Sequence, residues 1–199
     1  MTDTTETALR WWEALKEGQR VPLAFVKIDR IAAFFSQANS EQATARTMFR
    51  PKDASRRGVG GRFSPVRCWL SFQGGDDGRG NASTATVTLS RSKKGIEKLG
   101  KAGLTDVANV CWKVETNRRG FTGGKVEFLY LDSEIAGLDA SRSVLYSAPD
   151  LKGPWTKVTE STCEPLRHRI RGSLPSVSTH DTADYARYFA IMAAGPGQP

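Results

Sequence analysis

The chain has 199 residues, with 29 Lys and Arg against 21 Asp and Glu for a net charge of +8, and a pI near 9.6. That length suits one full domain. No stretch approaches the roughly 20 consecutive apolar residues of a membrane span, and no apolar run follows a basic start, so neither membrane insertion nor export is expected.

Hydrophobic residues make up only 39%, while 19 Gly and 9 Pro imply many turns, which favours a fold containing β-structure over a helical bundle. Three cysteines, Cys68, Cys111 and Cys163, are odd in number and widely spaced. No disulfide framework or zinc knuckle can be read from them, and they suit a reducing, cytoplasmic compartment. The excess positive charge suits a polyanion, because neutralising each phosphate releases counterions. Eighteen of the 29 cations are Arg, whose planar fork grips phosphate bidentately and stacks on bases.

In chain order, Ala8, Trp11, Trp12 and Leu15 recur at helical spacing ahead of Gly18, predicting a helix over 5–17. Val21–Ile28 reads as a strand and Asp29–Phe35 as helical. Asn39 with Gln42 resembles a helix-start pair, predicting a short helix toward Phe49 and a helical part over 1–50. Residues 51–65 form a basic Gly-rich loop, and residues 46–67 carry seven cations against Asp53 alone. Such a stretch is either a flexible arm or a surface awaiting anions.

A β-rich core is predicted over 66–172. Val66–Phe72, Ala82–Ser90, Val107–Glu115, Lys125–Asp132, Ser143–Ser147 and Trp155–Thr159 are short Val-, Thr- and aromatic-rich runs between Gly, Pro, Asn and Asp clusters. A brief helix is expected at 94–102. Leu166–Arg171 places Arg167, Arg169 and Arg171 on one side if extended. Ser178 with Asp181, then Tyr185, Tyr188, Phe189 and Met192, predicts a C-terminal helix over 178–194. The expected fold is therefore a single α+β domain over 1–199, an antiparallel sheet of about six strands with a helix at each end.

The strongest functional signal is a phrase written twice: Arg56-Arg57-Gly58-Val59-Gly60-Gly61-Arg62 and Arg118-Arg119-Gly120-Phe121-Thr122-Gly123-Gly124-Lys125. Glycine lets backbone amides approach an anion and the flanking cations supply charge, so two phosphate-gripping loops are expected; the bland alternative is two solvated hairpin turns. The candidate nucleic-acid contacts are Arg46, Arg50, Lys52, Arg56, Arg57, Arg62, Arg67, Arg118, Arg119, Lys125, Arg167, Arg169 and Arg171. Phe63 and Phe121, placed in the loops, are the candidate base-stacking rings.

Gly95-Ile96-Glu97-Lys98-Leu99-Gly100-Lys101-Ala102 has the spacing of a phosphate-binding loop, but Ala102 stands where a magnesium-ligating hydroxyl is needed, and Ile96 with Leu99 suits a packed helix. No metal, cofactor or catalytic residue is expected. These features predict a non-enzymatic nucleic-acid-binding protein, with RNA or single-stranded DNA ahead of duplex. The alternative is a structural or interaction protein, a viral coat subunit or an inhibitor of an acidic partner, docking through Trp11, Trp12 and the C-terminal helix. A third possibility is a metal-independent nuclease acting through His168 or His180.

Overall fold

Thr84, Thr86 and Thr88 alternate with Ala85, Val87 and Leu89, and in the structure the three apolar residues are fully buried while the threonines are half-exposed. That period of two, the mark of a strand with one wet face, recurs in several of the described strands. The computed structural model describes residues 42–49, 59–63, 66–76, 83–91, 106–177 and 184–193.

Eleven strands are described: β1 (Gln42–Phe49), β2 (Val59–Phe63), β3 (Cys68–Asp76), β4 (Ser83–Ser90), β5 (Val107–Thr116), β6 (Arg119–Leu129), β7 (Ser143–Ala148), β8 (Thr156–Lys157), β9 (Thr162–Glu164), β10 (Arg169–Leu174) and β11 (Tyr185–Ala193). They pair antiparallel throughout, in a first sheet ordered β1-β4-β5-β11-β7-β8 and a second ordered β2-β3-β6-β10-β9.

Aromatic rings bind the sheets face to face. Trp112 of the first sheet stacks on Phe128 of the second at 4.4 Å between centroids, with Phe49–Phe72 at 5.8 Å, Phe121–Tyr185 at 5.6 Å and Phe128–Phe189 at 5.4 Å crossing the same interior. Each pair adds about 0.5–1.5 kcal/mol to the area it buries.

Two buried arginines latch the sandwich at opposite ends of β3. At one end Arg67, just before β3, donates from Nη1 and Nη2 to Glu134 at 2.9 and 2.5 Å, and Arg91, just after β4, donates to the same carboxylate at 2.5 Å. The Leu131 amide adds a fourth donor at 2.8 Å. One carboxylate thus ties an end of each sheet to the β6–β7 connection. At the other end Arg118, where the chain crosses from β5 to β6, donates from Nε to the Gly74 carbonyl and from Nη1 to Ser83 Oγ, both at 2.9 Å.

The α+β expectation is overturned. Among the described residues nothing helical exceeds one 3-10 turn, at Ala140–Arg142 and Pro165–Arg167, and the fold is all-β. Each of the six expected strands overlaps a described strand, but eleven strands in two sheets replace the single expected sheet. The C-terminal helix is instead β11, which lies between β5 and β7 in the first sheet. It is apolar on both faces: Tyr185, Phe189 and Ile191 pack inward, while Ala190 and Met192 meet Leu151 and Trp155 on the other side. An i, i+4 pair such as Tyr185 and Phe189 shares a face in a strand as in a helix, so spacing alone could not separate them.

The short helix ending at Phe49 is also a strand, β1, with Ala43 and Phe49 buried and Gln42, Thr44, Arg46 and Met48 exposed. The helices at 5–17, 29–35 and 94–102, the strand at 21–28 and the phosphate-loop spacing at 95–102 lie outside the described residues. No helix among the described residues is long and apolar enough to cross a membrane.

Candidate nucleic-acid interface

Of the doubled phrase, the described residues 59–62 and 119–125 lie in strands. Its copies enter β2 and β6, which flank β3 on its two sides and run in the same direction: Val59 and Gly124 both stand opposite Phe72. The two copies therefore reach one sheet from one end. Gly60 and Gly124 do not form open anion cradles, because they sit in paired strands where neighbouring backbones come close. A Cβ on Gly124 would fall inside the Ser71 carbonyl oxygen, and one on Gly60 would meet the Leu70 carbonyl at 3.2 Å and the Trp69 ring at 3.5 Å.

The cation ending each copy does reach solvent. Arg62 and Lys125 are exposed, and both stand on the outer face of the second sheet, since Arg62 pairs with Trp69 and Lys125 with Ser71, successive outward positions of β3. Inter-strand register extends this into a row across all five strands: Arg62, Trp69, Glu127, Arg171, Thr162. At about 4.8 Å between strands the row spans roughly 19 Å. A second row holds Gly60, Ser71, Lys125 and Ser173. The half-buried Trp69 indole is the aromatic surface of this face.

Beside these rows Arg167, Arg169 and Arg171 converge on Glu164 at 3.7, 2.6 and 3.1 Å, and Arg169 also reaches Glu127 at 3.3 Å. The hydrogen bond from Arg169, with the neighbouring guanidiniums, holds Glu164 below the usual carboxylate range. Glu127 goes the other way: burial pushes it up despite Arg169 and Arg171. One carboxylate cannot neutralise three guanidiniums. Among the described residues the face carries five cations, Arg62, Lys125, Arg167, Arg169 and Arg171, against Glu127, Glu160 and Glu164, a positive excess.

The remaining candidates divide differently. Phe63 and Phe121 are 1% and 0% exposed, and Phe121 packs edge-on against Phe72 at 5.1 Å. Expected as loop rings, they are core residues of strands and offer no face to a base. Arg67 and Arg118 are the buried latches, 1% and 2% exposed. Arg119 is half-exposed and pairs with Asp184 at 3.5 Å. Arg46 is exposed opposite Thr86, on the outer face of the first sheet and so on the far side of the sandwich. Arg50, Lys52, Arg56 and Arg57 lie outside the described residues; in sequence they lead directly into β2.

Of the nuclease candidates, His180 lies outside the described residues, and His168 occupies a left-handed turn with φ 49° and Nδ1 3.1 Å from Asp132 Oδ1. Docking by a C-terminal helix falls with that helix. No group of three or more His, Cys, Asp and Glu able to hold a metal ion occurs among the described residues. Comparison with protein-family models, curated proteins and solved structures finds no match to this chain.

Proposed function

We propose that this protein binds single-stranded nucleic acid on the outer face of its second sheet. The observation that carries the reading is the register: it brings the terminal cations of both copies of the basic phrase, Arg62 and Lys125, onto one face with Trp69 beside them and Arg171 across the sheet. Cations spaced across a flat sheet suit a phosphate backbone, and a half-exposed indole among them suits an unpaired base, whose stacking is sequence-tolerant. Duplex is disfavoured because groove reading uses a projecting helix or ribbon, whereas these cations stand on a flat sheet face.

Arg62→Ala with Lys125→Ala is expected to weaken binding to a short single strand and to flatten the plot of log affinity against log salt by about 0.7 per cation removed. Trp69→Ala should cost about 1–3 kcal/mol of binding while leaving the salt slope in place. Fluorescence anisotropy at several salt concentrations reads both. Wild-type affinity and slope in the double variant would remove this face from the binding surface.

A further inference from the structure

The outer face is not uniformly flat. A concavity of about 460 Å³ opens beside Trp69, with Lys125, Glu127 and Arg171 on the strands beneath and Glu160 and Thr162 on its far side. We propose that this concavity is a one-base pocket in which Glu127 reads the exocyclic amino group of the base, so that the protein prefers cytosine to thymine or uracil. The inference rests on the preceding reading of the face and adds a base preference to it.

Glu127 stands directly across from Trp69 on one side and Arg171 on the other, and directly opposed side chains have Cβ atoms about 4.5–5.5 Å apart. A base stacked on the indole would therefore meet the carboxylate with its edge, while Lys125 and Arg171 remain for the flanking phosphates.

The carboxylate is also underused. Its Oε2 accepts from Arg169 at 3.3 Å, a long contact for a charged pair, and Oε1 has no donor among the described residues. Burial already strains the charged form, so an incoming N–H donor would be favourable. Cytosine offers its N4 amino group in the position where thymine and uracil carry O4, and a carboxylate accepting from cytosine N4 is an established pairing, whereas O4 facing the same oxygen would repel it. The bland alternative is that Glu127 only braces Arg169, and it predicts no base preference.

The test compares oligo(dC) with oligo(dT) of equal length, both at pH 7.5, on the full chain. Both are pyrimidines; oligo(dU) as a third arm removes the C5 methyl and leaves the N3–C4 edge as the difference. Wild type is expected to bind oligo(dC) about tenfold more tightly. Glu127→Gln, whose amide can donate to O4, is expected to lose that preference by binding oligo(dT) more tightly than wild type does. Trp69→Ala should weaken both oligonucleotides. Equal wild-type affinity for the two, or a preference that survives in Glu127→Gln, overturns the pocket and leaves the binding face standing. Failure to bind either oligonucleotide at low salt overturns the pocket together with the face.

Discussion

Glu134→Gln is expected to lower the stability of this protein by about 3–5 kcal/mol, the cost of breaking a buried ion pair from one side. At about 2–4 °C per kcal/mol for a chain of this size, the melting temperature should fall on the order of 10 °C. The substitution keeps the shape of the side chain and removes its charge, leaving Arg67, 1% exposed, without its counter-ion. Burial alone would raise the Glu134 pKa, but Arg67 and Arg91 outweigh it and hold the carboxyl below its usual range. A depressed folded-state pKa contributes stability that is fully present above the unfolded value, near 4.3, and is lost as pH falls through the folded value. The gap between wild type and variant should therefore be widest near neutrality and close in acid. Thermal unfolding at pH 7 and pH 3 reads both; melting within a degree of wild type at pH 7 would show that the latch does not hold the sheets together.

Arg118→Ala is expected to cost about 2–5 kcal/mol, since it strips the Gly74 carbonyl and the Ser83 hydroxyl of donors that Arg118 supplies at 2.9 Å and removes the packing of its stem. Lysine should rescue only in part, because one ammonium on a flexible stem cannot reproduce a planar fork reaching a carbonyl on one sheet and a hydroxyl on the other. Where the variant is folded, its affinity for a single strand should match wild type. Lost affinity at an unchanged melting temperature would return Arg118 to the phosphate-gripping role that its Arg-Arg-Gly context suggests.

The contrast between Arg118 and Arg62 shows how far sequence could reach. Both follow from the doubled phrase, yet one is a latch and the other stands on an outer face. The difference is whether the position falls inside a paired strand or where the chain crosses between sheets, and residue type does not encode that. Phe63 and Phe121 were misplaced for a related reason: glycines read as loop lie within strands, and the rings beside them point inward. β11 was misread because a central strand covered on both faces loses its alternation. Trp69 is absent from the sequence candidates, although a signal for it is present. Cys68, Leu70 and Phe72 fill the buried register of β3, which leaves Trp69 on the polar register with Ser71 and Gln73, and a large aromatic on the wet face of a strand is the signal that points to a binding surface.

The binding surface itself is tested most directly by photocrosslinking a 12-nucleotide single strand to the native protein and mapping the adducts by mass spectrometry. If the outer face of the second sheet is the binding surface, crosslinks should concentrate at Trp69 and on the β3 and β6 peptides around it, and should fade as salt rises. Crosslinks confined to the opposite face, at Tyr146, Trp155 or Tyr188, would contradict it.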